Sequence, residues 1–308
     1  MGQYRQMLVL LGEVDPHSAA LRRGLALAHV SGASVHVLGL FEPREEPLLR
    51  EERLNEADIT RQYEHYRVQL RVLVERHHGS AIALTVDSLN AEDVRSQAID
   101  YISELRPDMV IKDSEAVSAW GRLFGIPLDC ALMRGFKGVS QFVPAAAIAV
   151  PRRVMVAVDT SFSETPTAQQ QFNQGLIRVA QALALQCGAA LHLLSAYNLG
   201  GVFAADMSVT QAWIEEMRQA LQEPFNALAE AEGVAQDCRH FMQGGPVQVI
   251  CEQVAALEVD AVVMGVVQPK GMDKLLGDTT ERLVSRPPCS VLAVHPQVAE
   301  TWEPWPCN

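Results

Sequence analysis

Apolar residues along this chain fall into short runs of strand length, separated by stretches in which they recur with helical spacing. In the first half, the runs near Met7–Leu11, Ser34–Leu40, Ile82–Asp87, Met109–Lys112 and Val139–Val143 read as five strands. Between the second and third, Ile59, Tyr63, Tyr66, Leu70 and Leu73 step by four and three, which draws one apolar helix face. In the second half, Val154–Asp159, Ala190–Ala196, Cys238–Met242, Ala261–Gly265 and Ser290–Val294 read as a second set of five. A stripe of Val209, Trp213, Met217, Leu221, Phe225 and Leu228 predicts a core-facing helix, kinked at Pro224. Gly245-Pro246 places proline at a helix entry, where its missing N–H costs nothing. Strands alternating with helices in this way predict parallel βαβ units, an α/β fold.

The halves repeat each other. "MLVLLGEVDPHSAALRRGLALAHVSGASVHVLGLF" and "VMVAVDTSFSETPTAQQQFNQGLIRVAQALALQCGAALHLLSAY" share one order of apolar run, polar turn, amphipathic stretch, Gly-Ala pair and apolar run. "AEDVRSQAIDYISELRPDMVIK" likewise parallels "PVQVICEQVAALEVDAVVMG", with Asp108 and Asp260 in matching places. A period this long means duplicated domains rather than a solenoid. The seam falls in the small-residue and proline stretch from Val143 to Arg153, giving domains at 1–147 and 148–308.

Composition narrows the partners. The 308 residues are 48% hydrophobic and 20% charged, as in ordinary globular proteins, and the formal charge of −12 argues against nucleic acid or an anionic membrane surface as the main partner. No run is long and apolar enough for a membrane span, because the longest uncharged stretch contains Pro144. "MLVLLGEVD" is too short for a secretion signal, and the six cysteines are scattered without a CxxC pair. These features predict a reducing, cytoplasmic setting.

The candidate chemistry lies in "VVMGVVQPKGMDKLLGDTTERLV", read as strand, glycine-bearing loop and helix start. Gly265 ends the strand, Gly271 lies within the loop, and Gly277 and Asp278 precede a helix expected to begin around Thr279. Loops at the carboxyl ends of parallel strands are where open sheets bind ligands, and amides at a helix start point toward a phosphate.

With its terminal "CSVLAVHP" strand, this stretch resembles the signature of universal stress proteins, G-x2-G-x9-G-[ST], preceded by an aspartate ending the first strand of the domain. Asp159 in "VMVAVDTS" fills that place. Two such domains in one chain are similar to the tandem, UspE-like group of the UspA superfamily. The resemblance implies two tandem Rossmann-like domains, each a five-stranded parallel sheet flanked by helices. It also implies a nucleotide, ATP with Mg²⁺, held by Asp159 against the adenosine, by Met264 and Gly265 near ribose and phosphates, and by Gly277, Asp278, Thr279 and Thr280 at the phosphates.

The chain departs from the pattern at two places. Gln268 stands where the second glycine belongs, and Asp278 where the family has Ser or Thr. Asp278 with Glu281 forms a D-x-x-E capping box that occupies helix-start amides by itself. Two unit charges ~4 Å apart at an effective dielectric of 20 oppose each other by roughly 4 kcal/mol, so a phosphate meets repulsion there unless Lys270, Lys274 or Mg²⁺ offsets it. The first half is further from the pattern, with Gly12 at the Asp159 position and no paired glycines after its fourth strand; it reads as a structural domain.

No catalytic set emerges. The chain lacks G-x-S-x-G and GxxxxGK[ST], and "VDTSFSE" lacks the paired glycines of an ATP pyrophosphatase loop. Cys238, His240, His77 and His78 match no standard zinc spacing. Three functions follow: a stress-response binding module that senses ATP or a related ligand, a ligand-free scaffold whose paired domains mimic a homodimer, and a slow ATPase. The last strands of the two halves are expected at sheet edges, where unpaired amides invite pairing, between the two domains or in a homodimer.

Overall fold

The computed structural model describes residues 4–43, 55–77, 81–90, 93–114, 128–161, 166–198, 211–266 and 278–301, with backbone alone at 211, 278, 300 and 301. The chain divides between Ala149 and Val150 into two compact units.

In the first unit, β1 (Gln6–Leu11), β2 (Ser34–Phe41), β3 (Leu84–Asn90), β4 (Met109–Asp113) and β5 (Val139–Val143) pair in the order β3-β2-β1-β4-β5, all parallel. Helices α1 (Ala19–Ser31), α2 (Glu56–Glu75), α3 (Val94–Leu105) and α4 (Leu128–Gly135) connect and flank them. The third strand starts and ends later than the apolar run suggests, since its burial alternates and the pattern marks its edge weakly. The starts of α1, α2 and α3 each carry a local signal. Ser18 caps α1 by accepting from the Leu21 N–H at 3.0 Å, and Asn55 and Asp93 do the same for α2 and α3. Met7 to Leu11, Val35 and Val37 are fully buried against Leu21, Leu27, Tyr66 and Leu70.

The second unit repeats the arrangement. Strands β6 (Arg153–Val158), β7 (Ala190–Tyr197), β8 (Arg239–Gln243), β9 (Ala261–Gly265) and β10 (Ser290–Val294) pair in the order β8-β7-β6-β9-β10, all parallel. Its helices are α5 (Pro166–Cys187), α6 (Gln211–Ala231), α7 (Pro246–Ala256), α8 (Asp278–Ser285) and α9 (Pro296–Thr301). Pro246 sits in the first turn of α7, as the Gly-Pro pair predicts. Pro224 does not end α6, which runs through it as one element; its stripe residues Leu221, Phe225 and Leu228 are buried, whereas Trp213 is partly exposed and Val209 lies outside the described residues. α9 packs back on α5, where Gly175 permits the contact: a Cβ there would stand 1.8 Å from the Ala299 carbonyl oxygen.

The duplication is visible atom by atom. Asp108 Oδ2 accepts from the backbone N–H groups of Arg5 and Gln6 at 2.7 and 2.9 Å. Asp260 Oδ2 accepts from Arg152 and Arg153 at 2.7 and 3.0 Å. Each carboxylate thus pins the start of its unit's first strand from the loop before the fourth. In both units the order reverses between the first strand and the fourth, and that switch point opens a crevice at the strands' carboxyl ends.

Candidate ligand site of the second unit

A cavity of about 670 Å³ occupies that crevice in the second unit. Its floor is the carboxyl ends of β6, β7 and β9, through Ala157, Leu194, Ala196 and Met264. Phe172 and Leu176 of α5 form one wall, Met217 and Leu221 of α6 another, and Ile250 of α7 closes the far side. Tyr197 is held rigid by stacking on Phe241 at 4.5 Å between ring centroids, with Phe225 beside Phe241. The rim is polar and comes from Asp159, Ser161, Gln169, Asn173, Asn198, Thr279 and Thr280.

The turn after β6 is held from two directions. Asp159 Oδ1 accepts from the Ser161 N–H at 2.9 Å and the Ser161 hydroxyl at 2.5 Å, an Asx turn. The Asp159 carbonyl accepts from Asn173 Nδ2 at 2.6 Å and Gln169 Nε2 at 3.2 Å, one turn apart on α5. Asn173 is only 3% exposed, so its amide is a fixed support rather than a mobile surface group. The carboxylate itself remains exposed at the mouth of the cavity.

The Met264-Gly265 pair has a packing reason. A Cβ on residue 265 would lie 2.2 Å from the Phe172 ring, so glycine is what lets that ring reach the end of β9. The Gly265 carbonyl accepts from the Thr280 hydroxyl at 2.9 Å, and Thr280 is 3% exposed. Through that bond Thr280 joins α8 to β9; the resemblance gives the phosphates the backbone amides here, which this side-chain contact leaves untouched. The helix is expected to begin around Thr279, and Asp278, the first described residue after residue 266, is already helical.

The fold therefore brings Asp159, Met264, Gly265, Thr279 and Thr280 around one cavity. Gly271 and Gly277, with Gln268, Lys270, Asp273 and Lys274, lie outside the described residues. Phe172, Asn173, Gln169 and Tyr197 were not singled out by the motif; the four-residue spacings Gln169–Asn173 and Phe172–Leu176 on an amphipathic stretch were the available signal. Among the described lining residues, Asp159 is the carboxylate and there is no lysine, arginine or histidine. The apolar floor and the amide-and-hydroxyl rim formed by the described residues suit a flat, hydrogen-bonding group.

The corresponding place in the first unit carries charged side chains engaged with neighbouring elements. The pairing of Met7 with Met109 and of Val154 with Ala261 sets Lys112 and Asp113 at the Met264 and Gly265 positions. The Asp113 carboxylate accepts from Ser18 Oγ at 2.7 Å and from the Ala20 N–H at 2.8 Å, holding the start of α1. Lys112 Nζ lies 3.2 Å from Asp129 Oδ1 of α4, with both side chains under 10% exposed, at 7% and 5%.

Comparison with known proteins agrees with this architecture. Residues 151–295 match the model of the universal stress protein family. Over 194 residues, 61% of this chain, it is 28% identical to the universal stress protein E homolog of Haemophilus influenzae; the match spans 62% of that relative's length. A functionally unknown protein of Pseudomonas aeruginosa superposes with a TM-score of 0.70 at 18% identity, over 96% of this chain and 95% of that one. A universal stress protein of Archaeoglobus fulgidus gives 0.64 at 16%, over 96% and 99%. At those identities the likeness speaks to the fold, which extends over both units. Residues 151–295 thus form a universal stress protein domain, and the chain as a whole is similar to the universal stress protein E homolog.

Proposed function

We propose that the second unit reversibly binds a nucleotide-like ligand, with Mg-ATP the first candidate, and that the chain acts in stress adaptation through this binding rather than through turnover. The observation that carries the reading is the 670 Å³ cavity at the switch point, around which Asp159, Met264-Gly265 and Thr279 converge. A purine ring suits the apolar floor between Phe172, Met217 and Tyr197. Asp159 and Asn198 on the rim suit ribose hydroxyls or an exocyclic amine. Phosphates would extend toward the amino end of α8, whose amides favour an anion and whose Asp278 opposes one.

Hydrolysis needs an oriented water, a base and charge stabilisation on the transferred group. Turnover near background is expected, with the nucleotide held far longer than it is cleaved. The first unit reads as a structural domain in this proposal, because Asp113 and Lys112, at the positions of Gly265 and Met264, are engaged with α1 and α4.

Calorimetry with ATP, ADP and adenosine on the full chain tests the reading. One site per chain is expected, with adenosine retaining much of the affinity. Asp278→Ser should tighten ATP by roughly 1–3 kcal/mol, through loss of a like charge and gain of a hydroxyl, and leave adenosine unchanged. No binding of any of the three, or two sites per chain, would overturn it.

A further inference from the structure

We propose that His192 and His240 form a two-imidazole site for a divalent first-row transition cation, zinc being the probe of choice. The pair lies apart from the cavity, on β7 and the neighbouring strand β8. Leu194 pairs with His240, so His192 stands two places back from it, and the pleat puts both imidazoles on one face of the sheet. Their facing nitrogens, His192 Nδ1 and His240 Nε2, are 3.1 Å apart, with ring centroids at 5.3 Å.

That separation serves a hydrogen bond, and it also serves a metal. Two nitrogens on a tetrahedral zinc at 2.0–2.1 Å are about 3.3 Å from each other. The backbone register therefore already holds two ligand atoms near the spacing one cation imposes. In the metal-free pair, one facing nitrogen carries a hydrogen and the other accepts it. Moving that hydrogen to the far nitrogen of the same ring gives two inward lone pairs without loss of a proton.

The surroundings are balanced in charge. The Asp237 carboxylate acts on His192 from the turn before β8, and the opposing Arg153 guanidinium is itself paired with Glu258 at 2.7 Å. Among the described residues, no group of three or more His, Cys, Asp or Glu side chains is assembled for a metal. The protein thus supplies two ligands and water the rest, which makes the site exchangeable rather than structural.

The first unit provides a contrast. His36 holds the equivalent register position, facing Leu8 as His192 faces Met155. Both of its ring nitrogens are engaged, Nδ1 with Thr85 Oγ1 and Nε2 with Tyr101 OH, each at 2.7 Å. A cation at either nitrogen would displace a hydroxyl partner, whereas at His192 the displaced partner is a second imidazole that can itself ligate.

Zinc titration of the full chain by calorimetry, in a non-chelating buffer, tests the proposal. Saturable binding of one zinc per chain is expected, with a rise in the thermal unfolding temperature. Replacing either ligand by alanine should weaken binding roughly tenfold or more, since one imidazole is half of the protein's ligand set. His240→Gln, which keeps a hydrogen-bonding group toward His192, covers the case in which an alanine variant fails to fold. His36→Ala should leave zinc affinity unchanged. Absence of binding at millimolar zinc, or equal affinity in His240→Gln and the wild type, would overturn the proposal.

Discussion

Gly265 and Phe172 are matched: the ring of the second fills the space that a side chain on the first would need, leaving 2.2 Å to an added Cβ. The glycine that the family signature associates with phosphates therefore also has a packing role. Gly265→Ala should destabilise the second unit by about 1–3 kcal/mol, the usual cost of forcing an extra carbon into a filled site. Adding Phe172→Leu should restore part of it, read as the denaturant midpoint. Full stability of the single variant would mean the ring is free to move aside.

Thr280 offers a cleaner separation of roles. If its hydroxyl serves Gly265, Thr280→Val should cost about 1–3 kcal/mol by leaving a carbonyl without its donor, whereas Thr280→Ser should cost little. The alternative, a hydroxyl reserved for phosphate, shifts the loss from stability to ATP affinity. Thermal melts and titrations on the same two variants decide between them.

In the first unit, the buried Lys112–Asp129 pair is exposed to a different failure. Lys112→Met leaves a carboxylate buried without its cation and should destabilise by roughly 3–5 kcal/mol. The double variant Lys112→Met with Asp129→Leu should recover most of that, since two apolar side chains need no hydration. A double variant no better than the single would show that the pair also orders α4.

Acid should weaken both units through histidine. Burial is the largest cause lowering the proton affinity of His36, His192 and His240 below the usual 6.5. The unfolded chain then binds protons more readily than the folded one, so stability is fully present above the unfolded value and declines as pH falls through it. The denaturant midpoint should drop between neutral pH and pH 5. His240→Gln should flatten part of the slope, and an unchanged slope would remove His240 from the account.

Much of this fold is legible in the chain because two signals coincide. Apolar runs of strand length mark β1, β2, β4 and β5 closely, and the repeated Asp108 and Asp260 mark the same joint in each unit. β3 is blurred because an edge strand with half-exposed side chains carries little periodic contrast. Within the candidate site, motif spacing leads to Asp159, Met264 and Gly265 but says nothing of Asn173, which acts through its bond to a backbone carbonyl. Contacts of that kind join residues on separate elements and leave no local pattern. The His192–His240 contact escapes for the same reason: the residues are distant in sequence and meet only through strand register.

The substitution of Asp113 for glycine has a thermodynamic consequence. A carboxylate built into the chain holds α1 at an effective concentration that never varies, so this joint does not answer to the supply of any molecule. A crevice that waits for a diffusing molecule gains stability as RT ln(1 + [L]/Kd), and so follows the supply of that molecule. Gene duplication followed by one such change would leave a chain with a constant half and a variable half. Unfolding the two units separately, with nucleotide present and absent, would show the first transition fixed and the second moving.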